Sequence, residues 1–185
     1  TIASAIDAGK VSADTYYTDT GVVDYGQHQI RNFENKSYGY VNMTRVLEYS
    51  INTGVIYAMR QMGVSSFIDY VKKFGFGQAT GIDLQKESVG NINNLTAKGE
   101  IHQATISFGQ GITATPIQMI NAFSAIINGG KLMNPYVVSE VISDNKVVKK
   151  TEPQVIRQVI SPKTSLTMRA ILVSVVVNGH VKKAQ

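Results

Sequence analysis

The stretch from Thr115 to Gly130 limits the folds open to this chain more than any other segment. Thr115 is a residue type that caps helices, Pro116 suits the first helical position, and Gly129-Gly130 provides a stop. Apolar residues dominate positions 117–127 and would occupy most faces of such a helix. A helix of this kind belongs in a core, so we expect the rest of the chain to pack around it.

Apolar residues at helical spacing predict further helices on both sides of this segment. Ser65 and Ser66 are expected to cap the start of one helix, and Ser161-Pro162 to begin the last. The predicted helices are Thr1 to Gly9; Val41 to Tyr49; one with the apolar stripe Val55, Met59 and Met62; one with Phe67, Tyr70, Val71 and Phe74; and a last one with Met168, Ile171, Leu172 and Val175, ending at Asn178-Gly179.

Two segments carry loop signals instead of helical spacing. Residues 16–40 are polar, contain Gly and Asn and have no clear period, so we expect a loop with a short strand pair at most. Residues 75–105 are rich in Gly, Asn and Thr. We predict that this second segment runs over the surface as loop.

Strand signals appear only after Pro135. β-Branched residues fill Tyr136 to Ile142 and Lys146 to Val148, and Asp144-Asn145 can adopt the positive φ angles of a tight hairpin turn. The predicted fold class is therefore α+β. A mainly helical part covers 1–134, and a β-hairpin with a C-terminal helix covers 135–185.

Composition excludes several classes of protein. The 185 residues are 43% hydrophobic and 17% charged, as in a globular domain, and no apolar run approaches the roughly 18 residues of a membrane span. The absence of cysteine excludes disulfides and thiolate chemistry in these residues. The net charge of +5 is scattered, with no basic stripe interleaved with aromatic residues, so we expect no nucleic-acid partner.

General catalytic motifs are absent from the sequence. There is no Gly-x-Ser-x-Gly elbow, no His-Glu-x-x-His zinc helix and no phosphate-binding loop. The three histidines, His28, His102 and His180, lie far apart and are most simply surface or packing residues. We therefore expect neither a metal nor an organic cofactor.

The tripeptide Ser50-Ile51-Asn52 lies between two predicted helices. By itself, a Ser two positions before an Asn is a common cap or turn pair. In its context, Thr44 to Val55, it resembles the Ser-x-Asn motif of penicillin-binding transpeptidases, a relative of the Ser-Asp-Asn signature. Ile51 replaces the Asp of that signature, which argues against a typical class A β-lactamase.

Further matches cover essentially the whole chain, and they resemble the transpeptidase domain of class B penicillin-binding proteins. We interpret them as structural landmarks, since glycine-rich turns need no chemical role. In order, they are Ala3 to Gly9; Phe74-Gly75-Phe76-Gly77 with Thr80-Gly81-Ile82-Asp83 and Glu87; Ser107-Phe108-Gly109-Gln110-Gly111; Thr115-Pro116-Ile117-Gln118; Asn128-Gly129-Gly130 to Pro135; and Asn178-Gly179 through Lys182-Lys183-Ala184-Gln185.

This resemblance implies the penicillin-binding transpeptidase (serine β-lactamase-like) fold and a D,D-transpeptidase activity that proceeds through an acyl-enzyme. It implies that Ser50 relays a proton and that Asn52 orients the substrate, both as catalytic residues, with Asn52 also binding substrate. The Ser-x-x-Lys and Lys-Ser/Thr-Gly motifs, which hold the acylated serine, its base lysine and the anion-binding strand, are expected outside these residues. The chain alone should then be inactive.

The same resemblance implies partners and a location. The substrates would be peptidoglycan stem peptides ending in D-Ala-D-Ala, and β-lactams would be covalent inhibitors. A membrane glycan polymerase would be a partner of the parent protein, which would be anchored on the outer side of the cytoplasmic membrane. Two alternatives stay open: a β-lactam-binding sensor or scaffold, and a carboxypeptidase or β-lactamase on the same fold.

Overall fold

The computed structural model describes residues 1–179 and has the predicted α+β composition. The similarity predicted at residues 180–185, and His180, lie outside the described residues. In chain order the elements are α1 Ile2–Asp7, β1 Tyr16–Asp19, β2 Val22–Tyr25, β3 His28–Arg31, β4 Gly39–Asn42, α2 Met43–Glu48, α3 Asn52–Met62, α4 Val64–Lys73, α5 Glu100–Ser107, α6 Pro116–Ile127, β5 Lys131–Met133, β6 Glu140–Ser143, β7 Lys146–Lys150, β8 Val155–Gln158 and α7 Pro162–Asn178.

The strands of residues 1–179 form four antiparallel pairs: β1 with β4, β2 with β3, β5 with β8, and β6 with β7. The segment 16–40, for which one short pair at most was predicted, thus holds most of two pairs. Val41 and Asn42 were predicted to be helical but belong to β4, because their backbone pairs with Tyr17 and Tyr16. Helix α2 then begins at Met43, with the Asn42 side chain accepting a hydrogen bond from Arg45 N at 3.0 Å.

The prediction of loop throughout 75–105 is wrong at its end. A 3₁₀ turn occupies Asn93–Thr96, and α5 begins at Glu100. The buried Gln103 side chain donates to Leu95 O at 2.9 Å and to Ala97 O at 3.1 Å, which fixes the helix against the preceding turn. This tertiary contact leaves no signal in local composition.

Ser65 and Ser66 are not the caps of α4. The helix follows Gly63 directly and both serines lie inside its first turn, with no side-chain capping bond at the N-cap. The helix forms because Phe67, which belongs to the apolar stripe that predicted this helix, is buried against the core.

The capping of α6 is as predicted, but its burial is not. Thr115 and Gln118 form a reciprocal capping box, and Pro116 occupies the first turn. The buried face consists of Gln118, Asn121, Ala122 and Ala125. The larger apolar side chains, Met119, Ile120, Phe123 and Ile127, are 42–63% exposed, so among residues 1–179 this helix is not enclosed by the core.

The core lies instead around α2 and α3. Met43, Val46, Ile51, Ile56 and Met59 are fully buried there.

Several residues of the motifs that resemble the transpeptidase family form hydrogen bonds that hold the surrounding loops in place. Glu87 accepts from Thr80 N at 2.7 Å, Asp83 from Val137 N at 2.7 Å, and Gln118 Nε2 donates to Gln78 O at 2.7 Å and Val89 O at 3.0 Å.

The C-terminal elements follow the predicted order, but the prediction of a strand from Tyr136 is wrong, because β6 begins only at Glu140, and the pair of β5 and β8 was not predicted. Asp144 and Asn145 have φ angles of 51° and 59° and form the turn between β6 and β7. Ser161 caps α7 through Thr164 N. Met168 and Ile171 are buried under the helix, whereas Leu172 and Val175 are half-buried.

No helix in residues 1–179 combines the length and the apolar character needed to cross a membrane.

The Asp7 carboxylate joins α1 to α4 and α7. It accepts from Tyr70 Oη at 2.7 Å, Ser161 N at 2.7 Å and Thr164 Oγ1 at 2.9 Å. Partial burial raises the pKa of Asp7, but these hydrogen bonds lower it more, so the pKa falls below its ordinary value. The resulting stabilisation is present above the unfolded-state pKa and is lost as the pH falls through the folded-state pKa.

We expect Asp7→Asn to lower the free energy of unfolding by about 1–2 kcal/mol at neutral pH, because charge-assisted hydrogen bonds are lost. The difference from wild type should shrink as the pH falls below about 4, where the wild-type carboxyl group begins to protonate, first in the unfolded state and at lower pH in the folded state. Urea denaturation at several pH values checks this. A difference that is independent of pH would contradict the charged role of Asp7.

Candidate active site

Ser50 lies at the sharp reversal between α2 and α3. Ile51 N donates to Val46 O at 2.9 Å and Ser50 N to Leu47 O at 3.3 Å. Together these bonds form the Schellman motif that ends many helices. Ile51 and Val46, the two positions whose apolar contact usually accompanies this motif, are both fully buried.

The motif places Ser50 in the left-handed region, with φ at 54°. Glycine is the usual residue there, and a residue with a Cβ costs roughly 1 kcal/mol at such a position. The chain therefore keeps a hydroxyl group where the backbone alone would favour glycine. Strain of this kind points to a functional constraint on the side chain.

Ser50 and Asn52 line the same depression, which has a volume of about 260 Å³. Its other walls come from the start of α1, from α2 and α3, and from the end of α5. Ile51 faces away from it, into the core. Among residues 1–179 the Ser50 hydroxyl has no hydrogen-bond partner, so its donor and acceptor capacity is open to the depression.

Asn52 is half-buried at the first position of α3. Its Nδ2 donates to Arg31 O, the last residue of β3, at 3.0 Å. This bond fixes the amide plane and leaves one N–H and the Oδ1 acceptor. An amide held in this way can donate to and accept from a peptide group placed in the depression.

Three buried residues next to the site had no sequence pattern by which they could have been predicted. Asp19 and Thr53 are 2% and 4% exposed, Asn32 is also buried, and the three side chains are hydrogen-bonded to one another. They come from β1, from the residue after β3, and from the first turn of α3. Sequence reasoning missed them because isolated Asp, Asn and Thr residues are ordinary in loops and strand ends.

A literal Ser-x-x-Lys tetrad does occur in the chain, at Ser143-Asp144-Asn145-Lys146, contrary to our expectation. It forms the exposed turn between β6 and β7. None of its residues lines the depression next to Ser50. The helical, cleft-facing geometry that a nucleophile and its base lysine require is therefore absent from this tetrad.

A larger cavity of about 480 Å³ is mainly apolar and contains neither Ser50 nor Asn52. Phe67, Phe74, Phe76 and Phe123 contribute to its lining. This lining is suited to apolar packing and not to catalysis. Within residues 1–179, no group of three or more His, Asp or Glu side chains could hold a metal ion.

Comparison with known proteins gives a consistent result. The family model "Penicillin binding protein transpeptidase domain" matches residues 1–185. Stage V sporulation protein D of Bacillus subtilis is 39% identical over 188 residues, which cover 100% of this chain and 29% of that protein. Peptidoglycan D,D-transpeptidase MrdA of Escherichia coli K12 is 31% identical, over 81% of this chain and 25% of its own length.

Solved structures agree with these sequence relatives. Penicillin-binding protein 3 from Mycobacterium tuberculosis, complexed with aztreonam, superimposes with a TM-score of 0.84 at 28% identity, over 95% of this chain and 39% of that one. Penicillin-binding protein 2X from Streptococcus thermophilus gives 0.83 at 26% identity, over 94% and 25%. The chain thus spans less than a third of the length of the curated relatives described above.

The strain at Ser50 predicts an unusual response to substitution. Ser50→Gly should raise the free energy of unfolding by about 0.5–1 kcal/mol, because glycine adopts a positive φ without steric cost. Ser50→Ala keeps the Cβ and should give no such gain. Chemical denaturation of both variants and wild type checks this, and equal stability of the two variants would contradict the strain.

Proposed function

Because the chain belongs to the penicillin-binding protein transpeptidase family, we propose that it is part of a class B peptidoglycan D,D-transpeptidase. The enzyme would cross-link stem peptides ending in D-Ala-D-Ala. The observation that carries this proposal is the placement of Ser50 and Asn52 on one depression, in the Ser-x-Asn arrangement of the family. The relative MrdA of Escherichia coli K12 is a peptidoglycan D,D-transpeptidase, which supports the same activity.

The reaction is acyl transfer to and from a serine. The serine oxygen attacks the carbonyl of the penultimate D-Ala, the C–N bond to the terminal D-Ala breaks, and the leaving amine takes up a proton. An amine of a neighbouring stem peptide then attacks the ester and releases the serine. A serine hydroxyl needs a nearby base for this step, which a lysine of depressed pKa can supply. We assign that serine and lysine to the parent protein outside these 185 residues.

Within the chain, Ser50 acts as the proton relay. Its hydroxyl faces the depression, is exposed and has both a proton and lone pairs to offer. It can accept a proton from the protonated base and donate its own to the departing amine. The left-handed backbone holds this hydroxyl beyond the end of α2, where helical residues could not reach.

Asn52 acts as the orienting group. With Nδ2 bonded to Arg31 O, its remaining N–H and Oδ1 can pair with the substrate peptide bond. Such positioning contributes to the transition state because it fixes the carbonyl in the path of the nucleophile. No metal or organic cofactor takes part in this scheme.

The parent protein would work at the bacterial cell envelope, outside the cytoplasmic membrane, where its substrate lies. A membrane anchor and a glycan polymerase partner belong to this proposal. β-Lactams would be covalent inhibitors, a proposal supported by the solved complexes of Mycobacterium tuberculosis penicillin-binding protein 3 with aztreonam and with ampicillin.

In the full-length protein, Asn52→Ala should slow acylation by penicillin on the order of 10²-fold, the effect of removing one positioned polar donor. Thermal stability should change little by comparison. Stopped-flow or gel measurement with a fluorescent penicillin gives the rate.

Asn94→Ala is the matched control, because Asn94 Nδ2 also donates to a remote carbonyl, Gly111 O at 2.8 Å, but lies away from the depression. It should leave acylation unchanged. Unaltered acylation in Asn52→Ala, or equal losses in both variants, would refute the role of Asn52.

The fate of the acyl group distinguishes the alternative functions. Rapid release to water would favour a hydrolase, and slow release without peptide exchange would favour a sensor.

The 185 residues alone should form no covalent adduct with penicillin, although the full-length protein should. Loss of the nucleophile and base leaves at most binding. Intact mass measurement after incubation shows any added acyl group. Stoichiometric labelling of the isolated chain that disappears in Ser50→Ala would mean that Ser50 is itself the nucleophile.

A further inference from the structure

Helix α3, which begins with Asn52, has no cap of its own. Ile51 occupies the N-cap position and its side chain cannot accept a hydrogen bond. The free N–H groups of a helix start need acceptors when they are buried. Thr53 N finds one in Asn32 Oδ1 at 3.1 Å, a residue 21 positions earlier in the chain. The helix is therefore capped from a distance.

A buried carboxylate holds this distant cap in place. Asp19 Oδ2 accepts from Asn32 Nδ2 at 2.9 Å and from Tyr38 N at 2.8 Å. Asp19 Oδ1 accepts from Thr53 Oγ1 at 2.6 Å and from Gly21 N at 2.9 Å. No salt bridge to Asp19 is found in the part of the chain that the structure describes. Hydrogen-bond donors and the start of α3 stabilise its charge instead.

The Thr53 hydroxyl has a defined direction in this network. It has one proton, and the short contact to the carboxylate of Asp19 takes it. Tyr17 Oη, 3.3 Å away, then donates to Thr53 Oγ1. Burial raises the pKa of Tyr17 well above its ordinary value, so Tyr17 stays a donor at neutral pH. Thr53 Oγ1 also lies 3.1 Å from Asn32 Oδ1, so the hydroxyl group contacts Asp19, Tyr17 and Asn32.

The network is directly connected to the site. Arg31 and Asn32 are neighbours in the chain, as are Asn52 and Thr53. Three hydrogen bonds join the two pairs: Asn52 Nδ2 to Arg31 O at 3.0 Å, and Thr53 N and Thr53 Oγ1 to Asn32 Oδ1, each at 3.1 Å. A shift of Asn32 moves both the acceptor that holds the Asn52 amide and the cap of the helix that carries it.

We propose that Asp19 is a positioning residue for Asn52, acting through Asn32 and Thr53 without touching the substrate. The assignment rests on the transpeptidase function proposed above. An Asn at position 19 would place an NH₂ group against the donors that now face the carboxylate, so Asn32 and the start of α3 would shift. A displacement of about 1 Å in an orienting group costs on the order of 10²-fold in rate.

The test uses full-length protein and the two constants of penicillin acylation, measured well below the midpoint of thermal unfolding. Asp19→Asn should lower the first-order acylation constant by about 10- to 100-fold, with little change in the non-covalent dissociation constant. The control is Asp7→Asn, which removes the charge of another carboxylate with three hydrogen bonds, away from the depression. That control should lose stability and keep its acylation constant.

If Asp19→Asn does not fold, a second pair of variants, at Thr53, tests the same proposal. Thr53→Val keeps the shape of the side chain but removes the hydroxyl that joins α3 to Asp19, whereas Thr53→Ser keeps the hydroxyl. Thr53→Val should slow acylation and Thr53→Ser should restore it. A residue that only stabilised the fold would not show this difference in the acylation constant.

The outcomes separate the two proposals. If wild type is not acylated, the proposed transpeptidase function fails and this inference fails with it. If wild type is acylated and Asn52→Ala is slow, but Asp19→Asn and Thr53→Val match wild type, only the positioning role is overturned. Equal acylation losses in Asp19→Asn and Asp7→Asn would also overturn it, because the effect would then follow from general destabilisation.

Discussion

The reversal between α2 and α3 is the constraint on which the surrounding structure depends. Its two backbone bonds bring the end of one helix against the start of the next, with Ile51 buried between them. The approach is so close that a Cβ on Gly54 would lie 2.4 Å from Val46 Cγ2 and 2.8 Å from Tyr17 Oη. Glycine at this position therefore lets α3 lie against α2 and β1, and Ser50 is exposed at the turn as a result.

Two features near this turn are unfavourable in free energy but give the region a defined geometry. A serine occupies a glycine-like backbone conformation, and a carboxylate is buried without a cation. Each feature destabilises the fold unless its neighbours compensate, as the donors around Asp19 do. A polar network that is fully satisfied in this way rigidifies its surroundings. That rigidity is what the orienting role proposed for Asn52 requires.

The exposed apolar face of α6 has a different origin. Its apolar pattern suits burial on several sides, yet its buried residues are only Gln118, Asn121, Ala122 and Ala125 among residues 1–179. Met119, Ile120, Phe123 and Ile127 form the remaining surface. The sequence pattern predicted the helix and its N-cap, but only the tertiary contacts decide which of its apolar faces is buried.

Local sequence patterns predicted the helix ends and turns that are set by interactions between residues close together in the chain. The Thr115 cap, the Asp144-Asn145 turn and the Ser161 cap were all predicted, because each acts over two or three residues. The position of Ser50 and Asn52 between two helices followed in the same way. Ser65 and Ser66 show the limit of such signals, since a cap-type residue also fits inside a helix.

Only the tertiary structure decided what couples distant segments. Strand pairing placed Val41 and Asn42 in β4, Gln103 fixed α5 against the preceding turn, and Asn32 supplied the missing cap of α3. The bond between Asp19 and Thr53 spans 34 positions, so no local pattern could reveal it. The physical reason is that a hydrogen bond depends on distance and direction in space, and those are set only when β1, β3 and α3 have packed together.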